Sequence, residues 1–417
     1  MSDAGARFDT TVEHASGSWP RTPEYWSSSS LKEIESCPRR WMLSRATYPE
    51  VWASRGYPQV PGLAALFGDV VHETLEVVVS ALNRAGCTAT DTADAVGVIR
   101  DLGGLSTVIR AAIDRKVTAL VDNPRMSDEA RNTLHQALVD QLGVASNRVQ
   151  VFLSRGTLPA WAAEVAKVGP GSAPAQAPQG PPHRTAVGSG AHPEVDVVAE
   201  GLRLWGRIDL LTVDDSGVTI TDFKTGQDDP LHDEQVRLYA LLWSLDRQAN
   251  PARREVTALV VSYPGRDRAV PAPDEAALRA LEASVAARIA DADAETTTAE
   301  PRALPSPDNC AFCHVRHMCE EYWQHVAPPP ASVPPREWFD IEGTVLRQNG
   351  IKSWVVEAAE GGTEVLVRTP SPSNTLPVGQ RVRVLGVRKV EDPDRPELVI
   401  AALGSGSETF VLKGGAS

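Results

Sequence analysis

The stretch 206–226 constrains this chain more than any other, running Gly206-Arg207-Ile208-Asp209, then a short turn, then Asp222-Phe223-Lys224-Thr225-Gly226. Residues 202–213 read as a strand, because Leu202, Leu204, Ile208 and Leu210 fall at even spacing and share one face. Asp214, Asp215, Ser216 and Gly217 supply turn chemistry, and residues 218–223 read as the returning strand. Such a hairpin brings Asp209 and Asp222 together at one end of a sheet, with Lys224 on the same face as Asp222. Two carboxylates and an ammonium converging there suit a hard divalent cation and an activated water. The same residue types also decorate solvated sheet edges, so the rest of the chain has to decide.

At 417 residues the chain is too long for one ordinary domain, and two or three are expected. No apolar run approaches the ~18–20 residues that span a bilayer. Residues 1–22 are polar and mixed in charge, without a signal-peptide pattern. The expectation is a soluble, cytoplasmic protein with no membrane partner. A net charge of −13 argues against a broad non-specific grip on DNA, since phosphate contacts need Lys and Arg. It leaves room for a local basic channel, for which Arg39, Arg40, Arg45, Arg203 and Arg207 are the candidates.

Ser30-Leu31-Lys32-Glu33 has the form of a capping box, and Pro38 is suited to open a second helix over 38–46. Cys37 then lies at the helix junction. A strong helix starts near Gly68, with Val71, Leu75, Val78 and Leu82 as its buried stripe and His72 and Glu76 sharing a face. Residues 105–121 and 128–153 read as further helices. The Pro-, Gly- and Ala-rich segment 166–193 reads as a flexible insertion, after which 194–198 resumes the sheet. Residues 231–245 form a helix carrying Gln235 and Tyr239 at i, i+4, followed by a buried strand at 255–263 and an Ala-rich helix at 275–292. A Pro-rich linker, 328–336, precedes five short strands with Gly turns, the pattern of a small OB-like barrel that fits either nucleic-acid or protein contacts.

Of the five cysteines, Cys310, Cys313 and Cys319 are compactly spaced, and Cys37 matches them in style. An odd count in a chain of this character points to metal rather than disulfides. Four thiolates suit a tetrahedral zinc or an iron–sulfur cluster, and His314 and His317 leave a mixed Cys/His zinc site open. Cys87 has no motif around it.

These pieces, in this order, resemble the RecB-like branch of the PD-(D/E)XK nuclease superfamily, in particular its iron–sulfur members: the AddB nuclease domain, Dna-two-type helicase–nucleases and CRISPR-associated exonucleases. The likeness runs from Ser28 to about Trp323 and rests on Cys37-Pro-Arg-Arg, Gly68-x3-His72, Gly206-x2-Asp209, Asp222-x-Lys224-Thr-Gly, Gln235-x3-Tyr239 and the C-x2-C-x5-C tail. The resemblance implies that His72, Asp209, Asp222 and the Phe223 carbonyl ligate Mg²⁺ or Mn²⁺. Lys224 would orient the attacking water, and Gln235 and Tyr239 would support the site and touch DNA. It implies [4Fe–4S] ligation by Cys37, Cys310, Cys313 and Cys319, with structural Zn²⁺ as the alternative. Glu194 falls near an acidic position of the family.

The expected fold is α/β, a restriction-endonuclease-like mixed sheet flanked by helices, plus a small all-β barrel. The expected domains are a poorly ordered 1–26, a nuclease domain over 27–327, the linker 328–336 and the barrel over 337–413. The expected function is metal-dependent DNA hydrolysis on single-stranded or frayed ends, in repair, recombination or defence, with a helicase or another protein as partner. The alternative is a non-catalytic DNA-binding or helicase-partner subunit with a vestigial site. No G-x4-G-K-[ST] stretch occurs, so an ATP motor is not expected in the chain itself.

Overall fold

The computed structural model describes residues 19–52, 56–155, 184–372 and 374–412. The expectations for 1–18 and for most of the 166–193 insertion lie outside the described residues.

Six strands make the first sheet: β1 (Trp26–Ser27), β2 (Gly190–Ala199), β3 (Leu204–Asp214), β4 (Gly217–Phe223), β5 (Val256–Ser262) and β6 (Asp267–Val270). β3 is the long central strand. β2 pairs antiparallel along one edge of it, from Gly190 opposite Val213 to Ala199 opposite Leu204. On the other edge β4 returns antiparallel from the Asp214–Gly217 turn, and β1 lies parallel to the start of β3. β5 is parallel to β4, and β6 is antiparallel to β5, so the sheet is mixed. The turn is held by Asp214, whose Oδ1 accepts from the Ser216 amide at 2.7 Å.

The helices are α1 (Ser28–Ser36), α2 (Pro38–Arg45), α3 (Pro49–Trp52), α4 (Leu63–Arg84), α5 (Ala93–Asp101), α6 (Leu105–Thr118), α7 (Asp128–Asp140), α8 (Leu142–Arg155), α9 (Leu231–Leu245), α10 (Glu275–Thr296), α11 (Pro307–Ala311) and α12 (Glu320–His325). They cover both faces of the sheet. One core packs α1, α2, α9 and α10 against Ile208, Leu211, Val213 and Ile220, and the other packs α4 to α8 against Ala191, Leu210 and Phe223. β3 feeds both cores, but the alternation breaks between Ile208 and Leu210: Leu202, Leu204 and Ile208 share a core with Leu211 and Val213, while Leu210 joins the other, so the single face expected for Leu202, Leu204, Ile208 and Leu210 is corrected. Trp26, Trp41 and Trp243 are buried, and each indole finds a partner: Asp293 at 2.9 Å, Ser30 Oγ at 2.8 Å and the Arg254 carbonyl at 2.8 Å. Burial of each large apolar side chain contributes about 1.5–3 kcal/mol. Trp26 thus fastens the chain before the boundary expected at residue 27.

Two further local expectations are corrected. The cap of α1 is Ser27, whose Oγ accepts from Ser30 N at 3.1 Å, and not Ser30. Ser27 is the last paired residue of β1 and is already extended, so the helix starts where the strand ends. The single helix expected over 128–153 is two, broken at Gln141, with α7 packed on α6 and α8 packed on both α4 and α6.

The C-terminal strands β7 (Trp338–Gln348), β8 (Ser353–Ala358), β9 (Glu364–Arg368), β10 (Arg381–Val390) and β11 (Val399–Leu412) close into a barrel in the order β7-β8-β9-β11-β10. β9 and β11 are parallel and the other pairs antiparallel, consistent with the expected OB-like domain. The Pro-rich segment before the barrel is pinned to it by Lys389 Nζ, which donates to the Pro330, Ala331 and Val333 carbonyls. Arg125 ties the barrel to the first domain, donating to both Glu408 oxygens at 2.8 and 2.6 Å and to the Pro58 and His314 carbonyls. No helix among the described residues is long and apolar enough to cross a membrane.

Candidate active site at the β3–β4 hairpin

Asp209 sits where the β3–β4 pairing ends. Its Oδ2 accepts from the Phe223 amide at 2.7 Å and lies 3.6 Å from Nδ1 of His72, which α4 brings over the hairpin. Asp222 follows on β4 and is fully buried. Its Oδ2 forms an ion pair with Lys224 Nζ at 2.8 Å, and neither carboxylate oxygen has a partner in hydrogen-bond geometry, Oδ1 having no ion-pair partner either. Lys224 Nζ also donates to Gln235 Oε1 at 3.0 Å, and Gln235 Nε2 donates to the Tyr239 hydroxyl at 2.8 Å. The i, i+4 pair on α9 therefore fixes the lysine from behind.

Two glycines set these approaches. A Cβ at Gly206 would come within 2.9 Å of Leu242 Cδ1 and 3.0 Å of Tyr239 Cε1, so only glycine lets α9 lie this close to β3. A Cβ at Gly68, one helical turn before His72, would stand 3.1 Å from Thr225 Oγ1, a tight contact that Thr225 would have to yield to.

Glu194 joins the group from β2. It lies level with Asp209, between the pairs Pro193–Leu210 and Val195–Ile208, and its φ of 53° is left-handed. That conformation costs a non-glycine residue about 1–3 kcal/mol, strain of the kind stored at functional sites. One donor atom each from His72, Glu194 and Asp209 lie within 4.8 Å of one another. Position relative to a loosely matching motif was the only sequence signal for Glu194, since strand periodicity says nothing about a left-handed residue.

The electrostatics are those of crowded acids. Burial and the Asp209 charge push the Glu194 carboxyl up to about 8. Burial would lower the His72 imidazole, but the Asp209 carboxylate outweighs it and raises it to about 9. Burial works to raise Asp209 too, yet His72 and Lys224 hold it below the usual range. Asp222 is pushed up by burial and by Asp209. His72, Glu194 and Asp209, converging next to the buried Asp222, are a donor set that fits a hard divalent cation. The site opens onto a cleft of about 540 Å³ lined by His72, Phe223, Lys224, the loop 225–230 and His232.

The other candidates lie elsewhere. Arg39 donates to Pro301 O at 2.7 Å and to Glu321 at 3.0 Å, and Arg40 donates to Asn309 O at 3.2 Å, so both fasten the segment that carries the last cysteines. Arg207 pairs with Asp196 at 2.8 Å on the half-exposed face of β3. Cys37, Cys310, Cys313 and Cys319 are buried free thiols that line one small cavity between the α1–α2 junction and the tail. Burial pushes the Cys313 thiol up to about 11 and the Cys319 thiol up to about 12. Cys87 packs as an ordinary core residue on α4 and its neighbours. His317 is not among the residues lining the cavity and stacks on Phe410 of the barrel, with ring centroids 3.8 Å apart.

No curated protein matches the chain. Among solved structures, the tetrameric p202 HIN2 is 15% identical over 20% of this chain and 46% of its own, with a TM-score of 0.17. A murine DNA-binding protein bound with double-stranded DNA is 16% identical over 28% and 60%, with a TM-score of 0.19. Fission yeast Pot1 with single-stranded DNA is 9% identical over 54% and 80%, with a TM-score of 0.18. The chain spans less than two thirds of the length of the first two, and superpositions this loose do not define a shared fold. The match that carries weight is to a family, over residues 25–320, the segment holding the hairpin, His72, Glu194, α9 and all the cysteines. The chain belongs to the PD-(D/E)XK nuclease superfamily.

Proposed function

We propose that this protein is a divalent-metal-dependent DNA nuclease of the RecB-like branch, acting on single-stranded or frayed ends. The observation that carries the reading is Asp222, a buried carboxylate with one oxygen on Lys224, next to Asp209 and His72, which with Glu194 bring three donor atoms together. Membership of the superfamily implies phosphodiester hydrolysis; the arrangement supports a complete site rather than a decayed one.

His72, Glu194, Asp209 and Asp222 would hold Mg²⁺ or Mn²⁺, with the Phe223 carbonyl on the same cleft. When bound, such a cation offsets the phosphodiester charge and makes water more acidic. The chain's own residues do the positioning. Lys224, held by Asp222 and Gln235, places an ammonium where charge develops on the phosphate. Tyr239 and Gln235 restrict that ammonium to one geometry, which lowers the cost of reaching it in the transition state.

The four cysteines support a second component of the proposal, an iron–sulfur clasp that joins the α1–α2 junction to the tail. Their cavity is lined by thiols and not by His314 or His317, which weighs against a mixed Cys/His zinc site. A link between residues this distant in sequence removes much unfolded-state entropy. Protein purified without oxygen and analysed for iron, sulfide and zinc tests the clasp. Stoichiometric iron and sulfide support it, and zinc alone overturns it.

A further inference from the structure

The cleft beside the catalytic lysine has a wall that the proposed chemistry does not use. His232 lies in the first turn of α9, three residues before Gln235, so the helix that presents Gln235 to Lys224 also presents an imidazole to the cleft. Its Nδ1 is 2.8 Å from the Tyr263 hydroxyl, and the rings sit 5.8 Å apart. The same hydroxyl accepts from the Asp229 amide at 3.3 Å. The imidazole is thus oriented from behind. Nε2 is the ring nitrogen with no hydrogen-bond partner among the described residues.

The cleft floor has matching character. Asp228 pairs with Arg266 and Arg268, Arg268 donates to the Asp229 carbonyl at 2.9 Å, and Arg148 donates to the Thr225 carbonyl, which pins the loop at both ends. The backbone amides of Thr225, Gly226, Gln227 and Asp228 make no hydrogen bond to described protein groups. The charged groups facing His232 are cationic Lys224, Arg268 and Lys32 against Asp229, and burial, then Lys224, lower its own tendency to charge. Free amides, a neutral imidazole and one ammonium around a single cleft make a surface for phosphate oxygens, in which most partners are hydrogen-bond donors rather than charges.

Resting on the nuclease reading above, we infer that His232 contacts the backbone phosphate next to the scissile one and so sets the register of the strand in the cleft. Tyr263 acts through it, as a positioning residue.

The test uses the full chain in EDTA, so that binding is read without cleavage, with a labelled single-stranded oligonucleotide over a salt series. His232→Ala weakens binding roughly fivefold, the size of one hydrogen bond, and leaves the salt slope unchanged because a neutral donor releases no counterion. Lys224→Ala instead flattens that slope by about one. His232→Gln, which keeps a donor, recovers most of the affinity, and Tyr263→Phe gives a smaller loss that does not add to that of His232→Ala. With Mg²⁺ or Mn²⁺ restored, the His232→Ala defect appears in KM more than in kcat. Wild-type affinity and KM in His232→Ala, or a salt slope altered as in Lys224→Ala, overturns the inference. A wild-type protein that cleaves no DNA overturns the nuclease reading instead.

Discussion

Asp222 Oδ2 lies 2.8 Å from Lys224 Nζ, while Oδ1 of the same buried carboxylate has no partner. A buried unsatisfied polar atom costs about 1–3 kcal/mol, a cost that a cation bound at this carboxylate would remove. Asp222→Asn should therefore be no less stable than the wild type in EDTA. It should lose the stabilisation that Mn²⁺ confers on the wild type, and cleavage should fall roughly 10²–10³-fold. Thermal unfolding with and without Mn²⁺ reads the first two effects; equal Mn²⁺ shifts in both proteins would contradict the assigned ligand.

Glu194 separates strain from chemistry. Glu194→Gly relieves the left-handed backbone, whereas Glu194→Ala keeps the Cβ that makes it costly. The Gly variant should be more stable than the Ala variant by about 1 kcal/mol, and both should lose cleavage. Urea unfolding of the pair checks this, and an Ala variant as stable as the Gly variant speaks against stored strain.

In the metal-free protein His72 is raised to about 9 and Glu194 to about 8, so both hold protons at neutral pH. A cation must displace those protons. Mn²⁺ affinity should then rise with pH from about 7 to 9, with proton release on binding. Calorimetry in two buffers of different ionisation enthalpy measures the release; identical heats in both would show that no protons leave.

The barrel is not a tethered passenger. Arg125, with 3% of its side chain exposed, bridges Glu408 of the barrel to carbonyls of the first domain, and Arg316 meets Asp340 at 2.7 Å. Arg125→Ala leaves Glu408 without its partner and should destabilise the protein by about 3–5 kcal/mol. A change below about 1 kcal/mol by urea unfolding, the size of an exposed pair, would mean that the contact is solvated.

What the sequence made legible followed from period and spacing. Alternation along β4 and the Asp214–Gly217 turn were enough for the hairpin, and the helical period placed His72 and the Gln235–Tyr239 pair on faces. The mixed sheet flanked by helices and the closed barrel follow the expected class. What could not be read depends on backbone conformation or on distant partners. Glu194 enters the site through a left-handed φ, and Arg125 meets a carboxylate 283 residues away. Arg39 and Arg40 looked free as charges, but the fold spends them on the tail segment.

The most direct measurement is cleavage of labelled single- and double-stranded DNA by the purified chain with Mg²⁺ or Mn²⁺, beside EDTA and the Lys224→Ala variant. The account predicts metal-dependent cleavage, faster on single strands, that EDTA abolishes and Lys224→Ala reduces at least about 10²-fold without loss of fold. Cleavage that persists in EDTA, or wild-type rates in a folded Lys224→Ala protein, would contradict it.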